Sequence, residues 1–262
     1  MTQRREVEAR LALYDDLSGI LGAMRSFALV ELHRVARREA AQQQLVGTLS
    51  ETLRDVAPAL PAPQLPASDV WVLFGSVRGF CGSFNEDILR AWQAAGSVTS
   101  PVVAVGERLQ SLLPRQGSLF PVRGATGAVD AASAIDRILA AVSAATRSLS
   151  REAGLVACVR EDAGPWVQRL LPLTISSDGS AQEIPLTNEP PERVSAGVAE
   201  HYLFHTLLAL MLRSIRVENH MRLLQMENAM QHLDRGRDEL KRQLNRLRQE
   251  EIIEEIELMM VS

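Results

Sequence analysis

The chain has 262 residues, of which 46% are hydrophobic, and its formal net charge at pH 7 is −4. This length predicts one or two domains with enough apolar material for a sizeable core. The weak negative charge argues against nucleic acid as the main partner, because a basic surface is needed to hold phosphates. The two cysteines, Cys81 and Cys158, form no CxxC pair, so neither a disulfide framework nor a zinc site is predicted and a reducing compartment is favoured.

The sequence predicts neither a targeting segment nor a membrane span. Residues 1–6 are largely polar and no apolar run follows them, unlike a secretory signal peptide. The longest nearly continuous apolar stretch, residues 202–212, is interrupted by His205 and Thr206 and is too short to cross a bilayer. Any membrane association is therefore expected to come through a partner.

Residues 3–56 predict a long first helix, within an N-terminal segment bounded at residues 1–57. Its apolar residues recur every three or four positions, as on one face of a helix. They are Val7, Leu11, Tyr14, Leu17, Leu21, Met24, Ala28, Leu32 and Val35. Gly19 and Gly22 either weaken this helix by about 1 kcal/mol each relative to alanine or permit the close approach of another helix.

Residues 69–191 predict a small α/β domain after a proline-rich linker at residues 58–68. Short apolar runs predict buried strands at residues 70–74, 101–105 and 154–159, with a hairpin within residues 167–175. Helical spacing predicts helices at residues 85–95, 107–113 and 128–149. Strands that alternate with helices indicate a mostly parallel sheet.

Residues 192–262 predict a second long helix. Residues 198–262 contain no proline and a single glycine, Gly236, and as one helix they would extend roughly 95–100 Å. The apolar seam slips in register near Asn228 and comprises Leu203, Leu207, Leu210, Ser214, Val217, Met221, Leu224, Leu233, Leu240, Leu244 and Leu247. Such a seam needs a partner helix. We therefore predict an α/β fold in which the two terminal helices form an antiparallel coiled coil around the inserted domain.

No catalytic, cofactor-binding or metal-binding residue is predicted. A P-loop needs a lysine beside its glycines, and the single lysine of the chain, Lys241, lies in the charged second helix. Gly75–Gly82 either cradles an anion or forms a tight strand-to-helix turn, and the turn is favoured. Cys81 is interpreted as a small buried residue rather than a nucleophile. His201 and His205 have the spacing of a metal pair but lack an HExxH motif.

Four short motifs occur in an order and spacing known from one protein family. Residues 20–24 read ILGAM, residues 78–82 read RGFCG and precede Asn85, and residues 245–256 read NRLRQEEIIEEI. A fourth motif comprises Glu218, Arg222, Met226 and Ala229. The first three resemble ITKAM, DRGLCGGxN and NKARQxxITxEL, and the fourth resembles ExxxRMxxMxxA. All are motifs of the gamma subunit of F-type ATP synthases, and the resemblance covers nearly the whole chain.

Four positions depart from these motifs. Gly22, Val77, Ser83 and Ile253 stand where the family has lysine, aspartate, glycine and threonine. The contacts that this lysine and threonine make in the family are therefore open for this chain. The departures indicate a divergent branch, which we interpret as the alternate bacterial form, with the coupling ion, proton or sodium, left open.

The resemblance implies a rotor in the central stalk, which couples ion-driven rotation of the c-ring to ATP synthesis or hydrolysis in the α3β3 ring. It implies the α and β subunits, the epsilon subunit and the c-ring as partners. It also implies that the chain is not itself catalytic and binds no cofactor. The implied location is peripheral, at the cytoplasmic face of the bacterial plasma membrane.

The resemblance also assigns roles to individual residues. Arg248 and Gln249 are expected to contact a β-subunit loop, because charge-assisted hydrogen bonds fix orientation. The remaining expected β-subunit contacts are Met24, Arg25, Ile252 and Glu255. A structural turn of the α/β domain is expected from Arg78, Gly79, Cys81, Gly82 and Asn85. The apolar end of the chain, residues 252–261, is expected to turn in a hydrophobic sleeve, to pack against residues 3–15, or both.

Two other classes of function compete with this interpretation. A non-rotary coiled-coil adaptor with an α/β recognition domain explains the long helices but not the motif at residues 245–256. An enzyme that uses Gly75–Gly82 and Cys81 leaves the long helices without a role. Vacuolar-type rotor subunits have paired helices but no inserted α/β domain of this kind.

Overall fold

A computed structural model of the chain describes residues 2–60, 64, 66–95, 99–114, 118–149, 153–173 and 186–261. The chain divides into two compact units. The first, here the shaft unit, comprises residues 1–29 and 222–262. The second, here the sheet unit, comprises residues 30–221.

The two longest elements are the first and the last helix of the chain. Helix α1 spans Thr2–Val56, and a 3-10 turn at Ala57–Ala59 follows it. Helix α5 spans Pro191–Val261, and its 71 residues correspond to roughly 105 Å. The prediction of a long helix at each end is therefore confirmed. Proline begins α5 and contributes to the 3-10 turn that ends α1, positions where its missing N–H is tolerated.

A five-stranded sheet lies at the centre of the sheet unit, in the order β3-β2-β1-β4-β5. The strands are β1 (Ser68–Phe74), β2 (Val102–Val105), β3 (Leu119–Val122), β4 (Ala153–Glu161) and β5 (Gly164–Leu171). The helices between them are α2 (Phe84–Ala94), α3 (Glu107–Gln110) and α4 (Ala131–Arg147). The first four strands are parallel, and β5 is antiparallel to β4. The predicted mostly parallel sheet is thus confirmed.

The core consists of two apolar layers, one on each face of the sheet. Along β1, Val70, Val72 and Phe74 belong to one layer, and Trp71 and Leu73 to the other, as the two-residue period of a strand requires. The first layer also receives buried residues of α4 and α5, and the second receives buried residues of α2. Because both faces are covered, the central strands are continuous apolar runs in the sequence.

Two details of the sheet differ from the prediction. Strand β3 was not predicted, since it has only four residues and contains Pro121; proline is tolerated there because β3 is an edge strand. The hairpin predicted within residues 167–175 is formed instead by β4 and β5, with Glu161 opposite Gly164 at its turn. Residues 174 and 175 lie outside the described residues.

The apolar seams of the long helices also differ in part. Leu17 and Leu224, both predicted in a seam, are exposed, whereas Met226 is buried. A Cβ added at Gly19 or Gly22 meets nothing within 4 Å, so the chain itself makes no close approach there. Helix α5 instead comes close to α1 at Gly236, where an added Cβ would lie 2.4 Å from the Tyr14 ring.

Candidate partner-contact surfaces

Among the described residues of the shaft unit, three ion pairs join α1 to α5. They are Arg4–Glu251 at 2.9 Å, Asp15–Arg237 at 3.6 Å and Arg25–Glu227 at 3.0 Å. Residue numbers rise along α1 as their partners' numbers fall along α5, so these segments run antiparallel. The charges alternate along each helix, and a slip by one pair would place like charges opposite each other. Each exposed pair adds at most about 1 kcal/mol, so their contribution is to register more than to stability.

The predicted contacts near the end of α5 are all exposed. Arg248, Gln249, Ile252 and Glu255 face solvent, and their spacing places them on one side of the helix. They lead into a row of exposed apolar side chains, between 47% and 81% accessible, at Ile252, Ile253, Ile256, Leu258, Met259 and Met260. Packing against residues 3–15, the other expectation for this end, buries none of these six side chains. The side chain of Val261 lies outside the described residues.

Met24 and Arg25 occupy a different part of the shaft unit. The Arg25 guanidinium donates through Nε and Nη2 to Glu227 Oε1 on α5. Glu227 and Arg248 are 21 positions apart on the same helix, roughly 30 Å at the helical rise. The six predicted contacts therefore form two separate groups.

Met24, which is half-buried, lies beside an apolar stripe of which the sequence analysis placed only Leu17 in an apolar series. The exposed members of this stripe are Leu13, Leu17, Ile20 and Phe27. Their spacing of three, four or seven residues places them with Met24 on one side of α1. The sequence contains this stripe as a second set of apolar residues at helical spacing. This set lies at a different angle around the helix axis from Val7 and Ala28.

In the sheet unit, two of the five predicted turn residues belong to one buried network. Asn85 Oδ1 accepts a hydrogen bond from the Ser76 N–H at 2.9 Å, and Asn85 Nδ2 donates to Ser76 Oγ at 2.8 Å. The Cys81 thiol donates to the same Oγ at 3.4 Å. Ser76, Cys81 and Asn85 are all buried. Sequence reasoning missed Ser76, although it directly follows the glycine that ends the first strand.

The other three predicted turn residues lie at or near the surface. Arg78 and Gly82 are exposed, and Gly79 is half-buried, with the Arg108 guanidinium 3.6 Å from the position of an added Cβ. Gly82 has a φ of 57°, in the left-handed region that glycine adopts without strain. Phe80 has a φ of 60° and is exposed. The polar groups of Ser76 and Asn85 bond to each other, which is the arrangement of a tight turn between β1 and α2.

The two histidines of α5, His201 and His205, are held by contacts with each other and with a neighbouring side chain. The His201 and His205 rings stack with centroids 6.4 Å apart, and Gln42 Nε2 lies 2.7 Å from His205 Nδ1. Burial, together with the charge of His201, lowers the pKa of His205 below its usual value. Among the described residues, no group of three or more His, Cys, Asp or Glu side chains is arranged to hold a metal ion.

Cys158 is expected to be almost unreactive in the folded chain. Its side chain is fully buried on β4, and burial raises the pKa of the thiol to about 12. Only the thiolate is alkylated, so at pH 8 we expect iodoacetamide to label Cys158 about a thousandfold more slowly in the folded chain than in urea. Peptide-level mass spectrometry measures this rate separately from that of Cys81. Equal rates with and without urea would contradict the buried position.

Comparison with known proteins identifies the family. A family model described as ATP synthase matches residues 3–258. The chain belongs to the ATP synthase gamma-chain family. A stretch of 102 residues is 35% identical to the ATP synthase gamma chain of Clostridium novyi (strain NT) and covers 38% of this chain. The match spans 35% of that relative's length. The family suggested by the four motifs is thus confirmed.

Solved structures share the fold at low sequence identity. A structure of the Euglena gracilis mitochondrial ATP synthase rotor aligns with a TM-score of 0.62 and 17% identity, covering 96% of this chain and 99% of that one. The central stalk and c-ring structure from Tetrahymena thermophila aligns with a TM-score of 0.59 and 18% identity, covering 80% and 99%. Among the described helices, none combines the length and the apolar composition needed to cross a bilayer.

Proposed function

We propose that the chain is the gamma-type rotor subunit of an F-type ATP synthase, which couples rotation of the membrane c-ring to ATP synthesis or hydrolysis in an α3β3 ring. The observation that carries this proposal is the exposed apolar end of α5, from Ile252 to Met260. A free protein rarely exposes so many large apolar side chains within one short segment. The same surface suits a shaft end enclosed by apolar walls. Membership of the gamma-chain family supports the assignment.

In this proposal the paired segments of α1 and α5 form an antiparallel coiled coil. The alternating ion pairs of the shaft unit support it, because they favour one register over its neighbours. The close approach of Gly236 to Tyr14 supports it as well. A shaft held in one register presents a defined, asymmetric surface to whatever surrounds it.

The mechanism follows from that asymmetry. A rotor shifts the conformation of a surrounding subunit only if it contacts the conformations differently. Arg248, Gln249, Ile252 and Glu255 combine a cation, an amide, an apolar side chain and a carboxylate on one side of α5. As the shaft turns, each β subunit in succession meets this side, and its conformational equilibrium is biased accordingly. Catalysis itself takes place in the ring.

The second group of contacts acts further along the shaft. Arg25 already donates to Glu227, and a guanidinium has five N–H donors, so it retains donors for a β-subunit contact. Met24 adds an apolar contact beside it. In the sheet unit, a structural role is proposed for the turn that includes Arg78, Gly79, Cys81, Gly82 and Asn85.

Partners and location complete the proposal. The α/β domain, residues 69–191, meets the c-ring and the epsilon subunit, so the chain is held at the cytoplasmic face of the bacterial plasma membrane through its partners. The chain itself contributes no catalytic residue and binds no cofactor. Whether the coupling ion is a proton or sodium is a property of the c-ring.

Co-purification from the native cells tests the assignment. With an affinity tag in the α/β domain, we expect α- and β-type nucleotide-binding subunits in about threefold molar excess over the chain, together with ATPase activity. The ratio follows from one shaft within a ring of three α and three β subunits. Capture of the chain without nucleotide-binding subunits would overturn the rotor assignment and favour the coiled-coil adaptor.

A further inference from the structure

A cluster of charged residues in the sheet unit joins three elements that are far apart in the sequence. It comprises Glu39 of α1, Arg213 and Arg216 of α5, Glu161 at the end of β4 and Asp162 in the turn that follows; we call it the Glu39 cluster. Glu39 is only 6% exposed. None of these residues belongs to the motifs that identify the family.

The buried carboxylate of Glu39 is the centre of the cluster. Its Oε2 accepts a hydrogen bond from Arg216 Nε at 2.7 Å. Its Oε1 lies 3.4 Å from Arg213 Nε and also accepts a hydrogen bond from Gln43 Nε2 at 3.1 Å. One carboxylate of α1 thus holds two arginines of α5.

The two arginines extend from Glu39 to the β4–β5 turn. Arg213 Nη1 donates to Glu161 Oε1, and its guanidinium carbon lies 5.8 Å from the centre of the Trp166 ring on β5. Arg216 Nη2 lies 2.9 Å from Asp162 Oδ2. His220 Nδ1 is 3.7 Å from the other Asp162 oxygen. The pKa of Asp162 is lowered, chiefly by its hydrogen bond with Arg216.

Stability alone does not explain such a cluster. Burying charges is costly, and an apolar group of the same volume often stabilises a core equally well. Charged hydrogen bonds instead fix direction, since an arginine fork engages a carboxylate in few orientations. Apolar side chains of α5, such as Leu207 and Leu210, already join this helix to the sheet, but such contacts tolerate small rotations better than ion pairs do.

We propose that the Glu39 cluster is the torsional joint of the chain, holding the sheet at a fixed angle about α1 and α5 so that torque passes between them. Glu39, Arg213 and Arg216 are then positioning residues for coupling, although none touches a nucleotide. This inference rests on the proposed rotor function. If the joint is removed, the sheet yields under load, so that catalytic steps are completed without the matching rotation of the c-ring.

Membrane vesicles that contain the native ATP synthase complex, with the variant chain in place of the wild type, test the joint. Two rates are measured in the same vesicles: ATP hydrolysis and ATP-driven ion transport, followed as acidification or sodium uptake. For Glu39→Gln we expect hydrolysis within twofold of the wild type and transport per ATP at least threefold lower. Asp162→Asn, at the exposed edge of the cluster, is expected to give a smaller loss in the same direction.

Two control variants separate coupling from general stability. Glu51→Gln removes an exposed carboxylate of the same helix and is expected to change neither rate. Ile138→Val weakens the core beneath the sheet, and should lower the thermal unfolding midpoint without changing transport per ATP. A loss of coupling in Ile138→Val as large as that in Glu39→Gln would overturn the proposal.

The remaining outcomes also test the proposal. Normal transport per ATP in an assembled Glu39→Gln complex would overturn the joint and leave the rotor function intact. If that variant does not assemble, Asp162→Asn decides, and normal coupling in it would overturn the joint. Absence of the wild-type chain from the isolated ATP synthase complex would instead overturn the proposed function itself.

Discussion

Replacing Gly106 by alanine is expected to lower the free energy of unfolding of the chain by about 4 kcal/mol. Gly106 lies between β2 and α3 and has a φ of 94°, which L-residues rarely adopt. A Cβ there would lie 2.5 Å from the Gly75 carbonyl oxygen and 2.7 Å from the Ser76 carbonyl oxygen. Backbone strain and the clash with backbone atoms of the β1–α2 turn therefore add.

The measurement is urea unfolding of the purified chain, followed by its tryptophan fluorescence, to which Trp71 and Trp92 contribute from the buried layer beside this turn. Gly47→Ala is the matched control. Gly47 lies inside α1, and a Cβ added there meets nothing within 4 Å. Alanine is expected to stabilise this position by about 1 kcal/mol through helix propensity. Similar destabilisation by both substitutions would contradict the steric explanation.

The sequence contained most of the fold because local signals and packing agree. Continuous apolar runs at residues 70–74 and 154–159 lie in strands that are covered on both faces, and such strands need no polar alternation. The last strands were harder to place. Strand β3 is a short edge strand, and the exposed residues of β5, such as Trp166 and Val167, give no clear burial pattern.

The register of the long helices was only partly predictable. Periodicity places Leu224 in the seam as readily as Met226, but Met226 is buried and Leu224 is exposed. A helix of 3.6 residues per turn drifts against a 3.5-residue seam, so the buried face has to change somewhere along a helix of this length. Where it changes depends on the surface that the partner helix presents.

The candidate sites, too, were only partly predictable from the sequence. Cys81 and Asn85 could be grouped from the sequence because they lie within one short motif. The Glu39 cluster could not, because Glu39 is 174 positions from Arg213 and 177 from Arg216. In the sequence, a buried charged residue on a long helix looks the same as a solvent-exposed one. Only the three-dimensional arrangement of α1, α5 and the β4–β5 turn reveals its partners.

Replacing both Arg248 and Gln249 by alanine is expected to slow ATP hydrolysis by the assembled complex about tenfold. Both side chains are exposed on one side of α5, where the proposal places their contact with a β-subunit loop. Hydrogen bonds to a charged group contribute about 1.5–3 kcal/mol, and about 1.4 kcal/mol of lost transition-state stabilisation corresponds to a tenfold change in rate. Steady-state turnover per complex measures the effect, after the amount of assembled complex is matched by native gel electrophoresis.

The chain provides a matched control on the same helix. Arg242 and Gln243 are also an exposed Arg-Gln pair, six residues earlier and therefore turned about 120° around the helix axis. Replacing both by alanine removes the same chemical groups from another side of the shaft, and turnover is expected to change less than twofold. Equal losses from the two pairs would mean that charge near the shaft end matters but its orientation does not. Normal turnover after loss of Arg248 and Gln249 would leave the rotor assignment standing and move the contact elsewhere, with the apolar end from Ile252 onward as the next surface to test.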